Sequence, residues 1–236
     1  MSILERVTKG PVAKKRKTLL CGPSGIGKTT WAAGWPAAII IATEDGSQDL
    51  DVSRTPVLKT TKEVVAAIRE VTESDYETLV IDSIDWLEAL IEKDLRAENF
   101  NHAFGQGTLE VGRRVAAVLA LLDKAIEAGK HVVLVGHSHI RAITRPDGTS
   151  WSRYEPKLSK HASAKVTEWC DEVLFANTEV RTQNKQVGMK MVTVGTEGDR
   201  VLHTVGSATY QAKHRATGLK ASYKLSDVSV YLTDLN

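Results

Sequence analysis

TLLCGPSGIGKTTW, residues 18–31, is the stretch on which the reading of this chain turns. Gly22 is followed by four residues and then by Gly27-Lys28-Thr29, the spacing G-x-x-x-x-G-K-[ST] of a phosphate-binding loop set between a strand and a helix. Glycines at 22, 25 and 27 allow a tight turn that brings backbone N–H groups close to a polyphosphate. The helix opening near Lys28 aims its positive dipole end at the same anion. In that arrangement Gly22, Pro23, Ser24, Gly25, Ile26, Gly27 and Thr30 cradle the phosphates. Lys28 contacts the β- and γ-phosphates, and the Thr29 hydroxyl ligates Mg²⁺.

Outward from the loop, strand and helix periods alternate. Leu19 to Cys21 is a short buried strand, and the helix from Lys28 is stopped by Gly34 and Pro36. Ala37 to Ala42 is a continuous apolar run, as expected of a parallel strand covered on both faces, and it ends at Thr43-Glu44-Asp45-Gly46. Thr60 to Glu63 is a capping box leading a helix with Val64, Ile68 and Val71 on one face. Thr78 to Ser83 is a second apolar strand, and it ends in a carboxylate. Asp82, at the carboxyl end of a parallel strand beside the loop, is placed to hold the hydration shell of the Mg²⁺ that Thr29 touches.

Residues 83–95 read as helix, Asn99 to Gly107 as a polar loop, and the following segment as a long helix. That helix carries a stripe of Val111, Val115, Val118, Leu122 and Ile126 and stops at Gly129. His131 to Gly136 is another buried strand leading into His137-Ser138-His139. This alternation predicts a mostly parallel α/β sheet with helices on both faces and ligands at the carboxyl ends of its strands.

From Ile140 the pattern becomes a hairpin turning at Pro146-Asp147-Gly148. Residues 140–165 hold six Lys or Arg against two acids, with Trp151 and Tyr154 between them. Positive charge beside aromatic rings suits a single-stranded polynucleotide, the cations following phosphates and the rings stacking on bases. A solvated hairpin whose aromatics cover the sheet edge has the same pattern, and the residues alone leave both open. A helix near Ala162 to Trp169 then precedes a strand at Glu172 to Phe175, and antiparallel strands follow at Glu179–Gln183, Lys190–Val194 and Val201–Val205. Residues 200–226 contain five Lys or Arg and no acid, a run able to meet nucleic acid, nucleotide or a neighbouring subunit.

Composition bounds the rest. At 236 residues, with 42% hydrophobic and 25% charged content, the chain fits one soluble α/β domain spanning 1–236, with a core at about 17–176 and a β extension at about 177–236. A net charge of +2 confines any nucleic-acid surface to local clusters. Cys21 and Cys170 have no metal-binding spacing, and a reducing cytoplasm suits them. The apolar run Val115–Leu122 is far short of the ~20 residues a membrane helix needs.

The order of parts resembles the RecA-like P-loop ATPase core: phosphate loop, Glu44 after the next strand, strand-Asp82-Ser83, long helix, a strand ending at His137, and a basic hairpin. Its compact form, without added domains, looks like the core-only phage ATPases of the single-strand annealing and recombinase type. The resemblance implies a Mg²⁺-dependent ATPase that binds single-stranded DNA as an oligomer, filament or ring, in a bacterial host's cytoplasm. A single-strand-binding protein is a further implied partner. It implies that Glu44 activates the attacking water, with Asp45 a rival, and that His137 senses the γ-phosphate where recombinases carry Gln. Residues 99–107 and 140–157 fall at the family's two DNA loops, making Arg141, Arg145, Trp151, Arg153 and Tyr154 DNA-binding candidates. Lys157 or Lys160 would reach a neighbouring subunit's phosphates. Two other classes stay open: a small-molecule kinase, and a nucleotide-dependent loader or partner of a replication protein.

Overall fold

The computed structural model describes residues 3–7, 9, 14–98, 100, 105–187 and 190–235. Strand β1 (Lys17–Gly22) leads through the loop into α1 (Lys28–Ala33), followed by β2 (Ala38–Ala42) and the short β3 (Ser53–Arg54). Then come α2 (Thr61–Thr72), β4 (Thr78–Asp82), α3 (Ile84–Ala97) and α4 (Gln106–Glu127). β5 (His131–Thr144), β6 (Ser150–Pro156) and α5 (Lys160–Trp169) complete the central region. β7 (Glu172–Val187), β8 (Lys190–His203), β9 (Ser222–Lys224) and α6 (Val228–Leu235) close the chain.

The strands form one sheet in the order β3-β2-β4-β5-β1-β7-β8-β9, with β6 paired to β5. From β3 to β7 every neighbouring pair is parallel, and the β7–β8 and β8–β9 pairs are antiparallel. β5 is inserted between β1 and β4, so Gly22 lies beside His137 and Asp82 is level with Val135. The loop, the strand-end acid and the sensor position are thereby gathered at one end of three adjacent strands.

The apolar runs are continuous because each strand is covered on both faces. Leu19, Leu79, Ile81, Val132 and Leu134 pack under α2, α3, α4 and α5 against Ile68, Leu87, Ile91, Val115 and Leu122. Their alternates Leu20, Val80, Val133 and Val135 face Trp31 of α1 and Tyr231 of α6. The Trp31 and Tyr231 ring centroids lie 5.2 Å apart. Thr60 and Glu63 form the expected capping box on α2.

Three expectations are corrected. α4 already begins at Gln106, inside the loop read as Asn99–Gly107; residues 99 and 101–104 of that loop lie outside the described residues. The strands read at 172–175 and 179–183 are one strand, β7, with a register shift between Thr178 and Val180. Those read at 190–194 and 201–205 are likewise one strand, β8, ending at His203. Asn177 has the composition of a turn, but its Oδ1 bonds His203 Nε2 across the ladder at 3.0 Å. That cross-strand bond satisfies the side chain while the strand continues. Beyond these three, β9 lies within the run of 200–226 read only as basic, and α6 follows it.

Candidate functional site

The loop takes the shape that its glycines permit. Gly25 and Gly27 have φ of 74° and 109°, left-handed values that side chains other than glycine rarely adopt. At Gly22 the requirement is space, since a Cβ there would stand 2.5 Å from the Ala176 carbonyl oxygen of β7. α1 starts directly at Lys28, and the Trp31 N–H donates to the Gly27 carbonyl at 3.0 Å. Lys28 Nζ donates back to the carbonyls of Gly22 at 3.2 Å and Pro23 at 2.9 Å. Burial pushes its pKa down, against the pull of the nearby Asp82 carboxylate. An ammonium held on two carbonyls under a desolvation penalty gains by meeting an anion.

Thr29 Oγ1 donates to Asp82 Oδ2 at 2.8 Å, so the two proposed Mg²⁺ residues already touch. Asp82 is buried, and that burial pushes its carboxyl pKa up, with the Thr29 hydrogen bond opposing. A hydroxyl and a carboxylate are the hard oxygen donors that a magnesium ion and its water shell accept. The Asp82 carbonyl accepts the Thr43 N–H at 2.8 Å and the Glu44 N–H at 3.4 Å, which ties the end of β2 to the end of β4. Lys28, Thr29, Glu44, Asp45, Asp82 and His137 line one cavity of about 430 Å³ with Ser24, Gly25, Gly27 and Thr30. The structure thus brings together all four residues read as catalytic, and leaves both Glu44 and its rival Asp45 at the cavity wall.

Sequence reading missed two acids of α3, one of which holds this wall. Asp85, in the first turn of α3, accepts the His137 backbone N–H on Oδ1 at 3.0 Å and meets His137 Nδ1 with Oδ2 at 2.9 Å. One turn on, the buried Glu88 accepts the Ser159 N–H at 3.0 Å, and burial raises its pKa. In sequence both resemble ordinary acids on a helix face; the only available signal was Asp85's closeness to Asp82.

A second cavity, of about 450 Å³, adjoins the first and shares Gly27 and Thr30 with it. Its wall includes Asp199 and Arg200 of β8, and Lys224 and Ser226 in and after β9. Arg200 Nη1 donates to the Ile26 carbonyl of the loop at 3.1 Å. The basic run of 200–226 therefore divides. Arg200 reaches the loop and Lys224 lines the cavity beside it, whereas Arg215 pairs with Asp171 at 3.3 Å and Lys220 with Asp234 at 3.1 Å.

The hairpin forms as read, with β5 and β6 pairing from Ser138↔Pro156 to Thr144↔Ser150. Arg141 lies 3.4 Å from Glu155, and Arg145 stands over the Trp151 ring at 5.1 Å. Arg153 is half-buried opposite Arg141. Trp151 Nε1 donates to the Ala208 carbonyl at 2.8 Å. Tyr154 departs from a free stacking ring, since its ring lies on Phe175 at 5.2 Å. Lys157 and Lys160 are exposed, and the Lys157 N–H donates to the His137 carbonyl at 2.8 Å.

A loop, a strand-end acid and a strand inserted between them define a P-loop NTPase core. Residues 14–216 match the family described as AAA domain, which covers most of the chain, and the protein belongs to that family. Membership makes it a nucleotide-binding protein of the ATPase kind. Comparison with curated proteins gives no match. Among the described residues no helix is long and apolar enough to cross a membrane.

Proposed function

We propose that this protein hydrolyses ATP with Mg²⁺ and uses the nucleotide state to control binding of single-stranded DNA, as an oligomer acting in recombination or annealing. The observation that carries this reading is the continuity of β5. His137 lines the phosphate cavity, and the same strand runs on to Thr144 as the first arm of the basic hairpin. The hairpin returns to the same residue, because the Lys157 N–H closes on the His137 carbonyl. A displacement of His137 when the γ-phosphate end of the cavity fills is thus passed to both arms of a segment carrying Arg141, Arg145, Trp151 and Arg153.

In this reading the phosphate loop and Lys28 hold the triphosphate, and the nucleoside lies toward Arg200 and Lys224. Thr29 and Asp82 would hold Mg²⁺, which would supply charge neutralisation for the transferred group. Glu44 takes the proton of the in-line water. Catalysis is then mainly positioning and electrostatics, and an exposed lysine such as Lys157 or Lys160 is available to stabilise transition-state charge across a subunit boundary.

The test is ATP turnover with and without single-stranded DNA, measured together with particle size. Turnover should rise with DNA, and DNA affinity should depend on the nucleotide and fall with salt. Lys28→Ala should lower turnover to background with the fold retained by circular dichroism. Full turnover in that variant removes the site assignment, and indifference to DNA under every nucleotide removes the recombination reading while leaving a hydrolase.

A further inference from the structure

His137 is held by two hydrogen bonds to one carboxylate, and the chemistry of that grip restricts what the ring can offer a nucleotide. Asp85 Oδ1 takes the backbone N–H at 3.0 Å, and Oδ2 stands 2.9 Å from Nδ1. An ionised carboxylate only accepts hydrogen bonds, so the nitrogen facing it carries the proton. In a neutral imidazole the other nitrogen is then a lone-pair acceptor. The His137 side chain is 19% exposed and forms part of the cavity wall with Lys28, Glu44 and Asp82. A glutamine amide at the same place can donate to a γ-phosphate oxygen; a neutral ring of this tautomer cannot.

We propose that Asp85 is a positioning residue that locks His137 in the Nδ1–H form, so that Nε2 accepts a hydrogen bond from the attacking water rather than donating to the γ-phosphate. This rests on reading the cavity as a triphosphate site. The water then has two acceptors, His137 Nε2 and the Glu44 carboxylate. Their separate positions fix its oxygen lone pair on the line to phosphorus. The water proton leaves to Glu44, the new P–O bond forms from the water oxygen, and the bridging oxygen departs with the β-phosphate. Lys28 and Thr29 serve the phosphate side of the cavity, so the phosphate oxygens have donors of their own. A polypeptide stretch that placed a lone histidine here would leave the ring free to flip or exchange tautomers; Asp85, fixed in the first turn of α3, prevents both.

The decisive measurement is the ¹⁵N spectrum of imidazole-labelled protein at pH 8. The His137 resonances, among those of seven histidines, are assigned by their loss in His137→Gln. The wild type should show a protonated Nδ1 and an unprotonated Nε2. Asp85→Asn presents an amide N–H to Nδ1 and should invert the pattern. Its kcat should fall about a hundredfold, the usual cost of a misplaced reactant, with KM for ATP within about threefold of wild type. His137→Gln offers both a carbonyl acceptor and an amide donor, and it serves here to assign the ring resonances. An Nε2–H signal in the wild type overturns the proposal, as does wild-type kcat in Asp85→Asn with the tautomer inverted. A wild-type protein without ATP turnover fails the hydrolase reading instead, and the ring spectrum still decides whether Asp85 sets the tautomer.

Discussion

Two buried carboxylates, Asp82 and Glu172, occupy opposite ends of the sheet, and burial raises the pKa of both. Their surroundings differ. Glu172, at the start of β7, accepts from Thr18 Oγ1 at 3.0 Å and lies 3.5 Å from Arg16 Nη1. Arg16 also holds the Leu235 carbonyl at the end of α6 at 2.8 Å, so this end is a latch made from the protein's own groups. Asp82 has a hydroxyl as its partner and a cavity in front of it. Nearby, Lys28 donates to two carbonyls of its own loop. A buried charge with its countercharge built in closes the fold, whereas one that faces a cavity with only a hydroxyl beside it is arranged for a ligand.

The same isosteric change at the two ends should separate these roles. Asp82→Asn keeps the shape and removes the charge. Turnover should drop by about 10²–10³-fold, the scale for losing one electrostatic contact in the transition state, while thermal stability holds or rises. Normal turnover would move the metal site elsewhere. Glu172→Gln should leave turnover within about twofold, because it lies at the end of the sheet opposite the phosphate cavity, and should act on stability through pH. Burial raises the Glu172 pKa from 4.5 to about 7, so the folded state binds more protons across that window. Its contribution is fully present below the lower value and is lost as pH rises through the upper one, by about 3 kcal/mol. His131, lowered from 6.5 to about 4 by burial, contributes an opposite slope that is common to both proteins. The wild-type minus variant difference in unfolding free energy, followed from pH 5 to 8, therefore isolates Glu172. A flat difference would mean that the carboxylate stays charged in the fold.

The two ends were not equally legible. The phosphate loop, the strand-end acid and the neighbouring Glu44 are local patterns: each is a short run whose chemistry and backbone shape depend on adjacent residues. Asp82 and His137 could be placed because apolar runs of strand length end beside them. The latch depends instead on residues far apart in sequence, with Arg16 and Leu235 meeting across nearly the whole chain. Asp85 illustrates the same barrier within the site. Its partner is 52 residues away, and nothing in a helix-opening acid identifies it as the support of a ring on another strand. The antiparallel strands were cut too short for a related reason. A polar residue such as Asn177 reads as a break until its cross-strand partner His203 is known. α6 was hidden because its identity as a helix rests on burying Tyr231 against Trp31, a contact between the two ends of the chain.

The smallest expected effect lies beside the phosphate loop, where Arg200 binds it from the side of the second cavity. Its guanidinium donates to the Ile26 carbonyl at 3.1 Å and forms the wall of the second cavity, away from Glu44, Asp82 and His137. Removing it deletes one hydrogen bond, worth about 1 kcal/mol, so Arg200→Ala should raise KM for ATP about fivefold. The reacting atoms keep all their neighbours, so kcat should stay within about twofold. Steady-state kinetics distinguish this from the alternative, in which Arg200 braces the loop against the γ-phosphate. That would lower kcat with KM unchanged, and would place this arginine with Asp82 among the groups that serve the transition state rather than with those that hold the nucleoside.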